Sequence, residues 1–291
     1  MQTRTEASDY LVELAKRCAE PYIALPAIRA ILLTGSAAEG VSDFYSDIDM
    51  ILYYDALPSE EALAEAAARN GGTDRKPIAP REEAQFIEHY YVNGVECQCA
   101  HATVAQWESD MASVLEALDV ASVIQKALGG LEDAIPLHGG DLIARWQRQL
   151  DDYPAALREA MVRHYLAFPA VWALHDRLET RDGTIWRTEM MVGVAYNLLG
   201  TLAGLNRRYF SPFQFKRMHR FAEKLAIAPP DFADRLETAF HAEPGAAALT
   251  LEMLVKETVE LVERHMPEID TAQARRRIGW RPQAWTIPTA R

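Results

Sequence analysis

One stretch constrains this chain more than any other. An apolar run, Ile28-Arg-Ala-Ile-Leu-Leu-Thr34, leads into Gly35-Ser36-Ala-Ala-Glu-Gly40. A polar spacer follows, and then a second apolar run, Asp47-Ile48-Asp49-Met50-Ile-Leu-Tyr-Tyr54. Both runs have the length and apolar content of buried strands, and the small residues between them predict a tight turn and a short helix. Ten residues separate Ser36 from Asp47. In a strand, residues i and i+2 share a face. Asp47 and Asp49 are therefore expected to project together, while Ile48 and Met50 turn to the core.

Two neighbouring carboxylates repel each other in a low-dielectric setting unless a cation lies between them. Mg²⁺ suits that position, because it prefers oxygen and commonly takes one or two carboxylates plus substrate phosphates. One or two such ions can stabilise the attacking and leaving oxygens of a phosphoryl displacement. Gly35 lets backbone approach a phosphate closely, and the helix after it offers N–H donors to an anion. Ser36 reads as a phosphate ligand or a helix cap.

The rest of the chain sets limits. Its 291 residues, 49% apolar and 25% charged, describe an ordinary globular protein with room for two domains. A net charge of -12 runs against binding to a nucleic-acid backbone and suits a small or cationic substrate. Cys18, Cys97 and Cys99 are too few for a disulfide framework, and Cys97 and Cys99 read as buried apolar side chains rather than zinc ligands. No signal peptide and no membrane span is visible, so a soluble, cytoplasmic protein is expected.

Along the chain, residues 5–20 have helical spacing, with Pro21 expected to end that helix. Pro58-Ser59 opens a second helix, closing near Asn70-Gly71-Gly72. Residues 73–82 read as a charged loop. Asn93-Gly94, between the β-rich runs 84–92 and 95–102, predicts a hairpin added at the sheet edge. Beyond about 103 the pattern turns helical, with helices expected at 155–179, 184–206, 212–226, 231–241 and 245–267. The Arg-rich tail 271–291 reads as a loosely packed appendage. The expected fold is α+β, a mixed-sheet domain over 1–145 followed by an all-α bundle over 146–291.

The stretch from strand through Gly35-Ser36 to Tyr45-Ser46-Asp47-Ile48-Asp49 resembles the signature of the nucleotidyltransferase superfamily, which has the DNA polymerase β-like fold. It is similar to antibiotic-modifying adenylyltransferases and to minimal nucleotidyltransferases. The resemblance implies a third acid on a later strand. Glu96, between apolar residues in Gly94-Val95-Glu96-Cys97, matches that acid in aminoglycoside adenylyltransferases, where it completes the metal site or acts as general base. Glu88, on the partner strand, competes for the role. Ser36 resembles the family serine that hydrogen-bonds a nucleotide phosphate, and Asp43 lies in the spacer. Leu205-Asn-Arg207-Arg-Tyr-Phe210 with Lys216 resembles, less specifically, the helical domain of bacterial nucleotidyltransferase-like proteins of unassigned substrate. By that resemblance the helical domain faces the metal site across a cleft, and Arg207 and Lys216 meet the triphosphate.

The expectation is therefore a Mg²⁺-dependent nucleotidyltransferase. It would move a nucleoside monophosphate from an NTP, ATP first, to a hydroxyl of a small molecule such as an aminoglycoside-like antibiotic, or of a protein. The rival is a degenerate relative that binds nucleotide as a sensor or interaction module.

Overall fold

A computed structural model describes residues 4–287. The fold is α+β, with a six-stranded mixed sheet and many helices. The chain divides into two compact units: the first within Met1–Ala117 and Lys126–Asp152, the second within Leu118–Gln125 and Tyr153–Arg291.

Thr5 opens the first unit by capping α1 (Glu6–Ile23), its side chain accepting from the Ser8 N–H. Pro21 does not end this helix, as its sequence position suggested, but lies inside it. The proline deprives that turn of one N–H···O=C bond, and buried Tyr22 anchors the turn, its hydroxyl 3.4 Å from that of Tyr90. β1 (Ile28–Thr34) runs into α2 (Gly35–Glu39), which Gly40 closes in the left-handed conformation. β2 spans Ile48–Tyr54, and Ser59 caps α3 (Glu60–Arg69).

Residues 73–82 were expected to be a loop, yet they hold β3 (Thr73–Pro77), which pairs antiparallel with β4 (Gln85–Val92). The sequence Thr-Asp-Arg-Lys-Pro carries no apolar alternation, because an edge strand with both faces wet needs none. Asn93 and Gly94 both have positive φ, the geometry of a type I′ turn, and they join β4 to β5 (Val95–Thr103). α4 (Val104–Leu115) and α5 (Ile124–Glu132) follow. A short β6 (Ile135–His138), hidden in sequence by its length and its proline, pairs with β1. α6 (Gly140–Asp151) completes the unit.

The strand order is β3-β4-β5-β2-β1-β6. β5 joins β2 in parallel, so the hairpin enters the middle of the sheet and leaves β3 at the rim. Alternation sorts the residues by face. Ile31, Leu33, Ile48, Met50, Leu52, Tyr90, Cys97 and Cys99 pack with Leu14, Cys18 and Tyr22 of α1 and Leu63 of α3 in one core. On the other face Tyr53 meets Trp107 of α4 and Trp146 of α6, with ring centroids 5.6 and 4.7 Å away.

The second unit is helical: α7 (Ala155–Tyr165), α8 (Val171–Thr180), α9 (Thr184–Leu205), α10 (Met218–Glu223), α11 (Phe232–His241), α12 (Pro244–His265) and α13 (Ala272–Arg277). The helix expected over 155–179 is two, broken around Pro169. That expected over 212–226 shrinks to α10, since the preceding residues run without regular structure. The tail is not loose at its start. Arg275 binds Glu263 through two nitrogens, Arg277 donates to the Phe168 carbonyl at 2.9 Å, and Trp172 donates to the Arg277 carbonyl at 2.8 Å. The last four residues of that expected tail lie outside the described residues. No helix among the described residues is long and apolar enough to cross a membrane.

Candidate active site

The turn after β1 is where sequence and geometry meet most tightly. Gly35 has φ +68°, and a Cβ placed on it would lie 2.2 Å from Asp49 Oδ2. A side chain there would strain the backbone and displace the Asp49 carboxylate, and glycine does neither. The register explains the closeness: Thr34 pairs with Asp49 across β1 and β2. Asp49 points away from the core that takes Ile48 and Met50, as strand alternation requires.

Asp47 stands one residue before β2 rather than in it. Gln98 of β5 joins the two acids. It is the register partner of Asp49, and its Nε2 donates to Asp47 Oδ2 at 3.0 Å. Both half-buried carboxylates therefore sit over one residue of β5. Ser36 follows Gly35 in the first turn of α2, and its Oγ lies 3.0 Å from Ser42 Oγ.

Glu96 shares a face of β5 with Gln98, and so with Asp49. Its carboxylate is engaged by His89 of β4, with Oε1 2.6 Å from Nδ1. Glu88, the competing acid, lies on the opposite face. It is fully buried, ion-paired with Arg75 and 3.3 Å from His101 Nε2. His101 Nδ1 meets the Tyr54 hydroxyl at 3.0 Å. Burial pushes the His101 imidazole below its usual range, against the pull of Glu88, and pushes the Tyr54 hydroxyl up. Asp43 folds its own turn, Oδ1 accepting from the Tyr45 N–H at 2.9 Å and from Ser46 Oγ at 3.2 Å. That turn holds Phe44 and Tyr45 almost wholly in solvent, 90% and 100% exposed, next to Asp47.

Arg207 and Lys216 belong to the second unit. Both are exposed, Arg207 in the left-handed region just past α9 and Lys216 in the irregular segment before α10. That unit's open pocket, lined by His219, Glu223, Phe232 and Asp234 among others, includes neither of them. Trp172 is buried, whereas Trp186 is exposed at the start of α9.

Among the described residues no three His, Cys, Asp or Glu side chains form a set able to hold a metal ion unaided. The donor chemistry of Asp47 and Asp49 fits Mg²⁺ in the form in which that ion takes two carboxylates, with phosphate oxygens and water filling the rest of its shell. The three cysteines are buried and free, packed in the opposite core. Sequence reasoning missed Gln98, His89 and Ser42. The first was within reach, since i+2 from a candidate acid on a strand lies on the acid's own face.

No protein-family model matches this chain, and no curated protein matches it. Among solved structures, a nucleotidyltransferase-like protein from Exiguobacterium sibiricum is similar to it at 12% identity, over 89% of this chain and 80% of that one, with a TM-score of 0.42. A likeness that distant assigns no family.

Proposed function

We propose that this chain is a Mg²⁺-dependent nucleotidyltransferase. The observation that carries the reading is the shared seat of Asp47 and Asp49 over Gln98, with Asp49 packed against Gly35. Two carboxylates joined through Gln98 make a hard-oxygen seat for a cation. Mg²⁺, when bound there, neutralises charge on the triphosphate and on the departing pyrophosphate. Asp47 and Asp49 hold that ion, and Gln98 fixes the orientation of Asp47. Gly35 leaves room for phosphate beside the acids, and Ser36 hydrogen-bonds it.

In the reaction the acceptor hydroxyl oxygen bonds to the α-phosphorus of the NTP, the α–β phosphoanhydride bond breaks, and pyrophosphate leaves. Glu96 takes the hydroxyl proton. Its contact with His89 orients the carboxylate. ATP is the nucleotide to try first. The acceptor is a small molecule such as an aminoglycoside-like antibiotic, or a protein, in keeping with the charge of -12.

One observation favours the rival of a nucleotide-binding sensor: no three acids gather into a metal set among the described residues. Thermal unfolding with each NTP, with and without Mg²⁺, tests the first reading on the wild type and on Asp47→Asn/Asp49→Asn. A ligand that binds the native state raises the midpoint. A Mg²⁺-dependent rise with one NTP, lost in the variant, is the expected result. No rise with any NTP at millimolar concentration overturns it. A rise with no transfer to any acceptor in a labelled-nucleotide screen turns the reading to the sensor.

A further inference from the structure

Ser42 sits in the spacer between α2 and β2, in a segment whose composition marks it only as a polar loop. It is nonetheless buried, as is Ser8 of α1. Four hydroxyl side chains meet there. The Ser42 N–H donates to Ser8 Oγ at 2.8 Å, Ser8 Oγ lies 2.8 Å from Thr5 Oγ1, and Thr5 Oγ1 donates to the Ser42 carbonyl at 2.8 Å. Ser42 Oγ then reaches Ser36 Oγ at 3.0 Å.

Counting protons settles most directions. A hydroxyl carries one proton. That of Thr5 is committed to the Ser42 carbonyl, so in the Thr5–Ser8 contact Ser8 is the donor. Ser8 accepts from the Ser42 amide, and the ring closes through the backbone of residue 42 with every donor used. The ring pins the backbone of Ser42 to the N-terminal turn of α1. Only the Ser42–Ser36 contact has two possible directions.

Burial decides between them. If Ser36 donated to Ser42, the Ser42 proton would be left inside the protein without an acceptor, since Ser36 Oγ is the one partner of its hydroxyl among the described residues. An unsatisfied buried donor costs about 1–3 kcal/mol. Ser36 is half-buried, and its proton can reach outward at no such cost.

We propose that Ser42 is a positioning residue for nucleotide binding: by donating to Ser36 it turns the Ser36 hydroxyl into a preset donor aimed at phosphate oxygen. The inference rests on the nucleotidyltransferase reading, which supplies the phosphate. It adds a residue two turns of chain away, and it gives α1 a share in the site through Thr5 and Ser8. A hydroxyl locked as a donor suits an anion, which only accepts, and saves the entropy of orienting it at each binding event.

The test is a double-mutant cycle on MgATP affinity, measured by calorimetry on the full chain, with Ser36→Ala, Ser42→Ala and the double variant. Hydrogen bonds to charged groups set the scale: Ser36→Ala is expected to weaken affinity by about tenfold or more, and Ser42→Ala by about threefold to tenfold. The double variant is expected to match Ser36→Ala alone, because Ser42 acts only through Ser36. Ligand-free unfolding of each variant separates this from loss of fold. Should Ser42→Ala fold poorly, Ser42→Cys, similar in size and a weak donor, carries the same expectation. Unchanged affinity in the Ser42 variants, with Ser36→Ala weakened, overturns the inference and leaves the nucleotidyltransferase reading intact. Additive effects also overturn it. No MgATP binding by the wild type, nor by it with any other NTP, overturns both.

Discussion

The hairpin of β4 and β5 carries an acid–histidine pair on each of its faces, and the two pairs have opposite fates. On one face Glu88 and His101 are buried, with Arg75 neutralising the carboxylate and the Tyr54 hydroxyl closing the far side of the imidazole. On the other face Glu96 and His89 are half-exposed, beside the strand that carries Asp49. The residue types are the same, and strand alternation separates their surroundings. Glu88 is saturated by buried partners, whereas Glu96 keeps part of its surface open to solvent.

Asp49→Asn should sharpen this contrast most. We expect transfer to fall by at least about a thousandfold, with an unfolding midpoint within a degree or two of wild type, because charge is removed and shape kept. An unfolded Asp49→Asn protein would make Asp49 structural and break the comparison. Glu96→Gln on the same face is expected to cost about a hundredfold in kcat, again with stability retained.

Glu88→Gln should do the reverse. Removing the charge of Glu88 takes from Arg75 its buried partner and leaves it Glu60, at a cost of about 1–3 kcal/mol in urea unfolding. The kcat of the folded fraction should stay within a few-fold of wild type. Loss of activity at unchanged stability would move the catalytic acid to the buried face.

The smallest effect is on pH dependence. His101 is held below the ordinary histidine value of about 6.5 by burial, so the unfolded chain takes up its proton first. Its contribution to stability is fully present above that ordinary value. It is lost as the pH falls towards the folded-state value, at no more than about 1.4 kcal/mol per pH unit. Urea midpoints at pH 7.5 and 5.5 measure the loss, and His101→Gln is expected to flatten it. A His101→Gln protein with the wild-type slope would show that other groups carry it. Arg75, Arg81, Glu88, Tyr54 and Tyr22 are the titratable neighbours that face this ring.

Much of this was open to reading from sequence, and for identifiable reasons. β1, α2 and the turn at Asn93-Gly94 follow from apolar runs and glycine chemistry, both local signals. The face of Asp49 follows from period two. What sequence could not supply was pairing. Nothing local says that β5 inserts beside β2, and without that register the pairing of Gln98 with Asp49 cannot be seen. Ser42 was illegible for a related reason: Ser8 of α1, which accepts from its N–H, lies 34 residues earlier. β3 and β6 were missed because one is charged and the other is four residues long.

The parallel pairing of β2 with β5 has a consequence for synthesis. β1 and β2 lie close in sequence and can pair early, bringing Asp49 against Gly35. Gln98 follows Asp47 by 51 positions and reaches it only after α3, β3 and the β4–β5 hairpin have been made. Long loops close slowly, and parallel pairing waits for them. A nascent chain that ends before residue 98 therefore carries the two aspartates without the amide that orients Asp47.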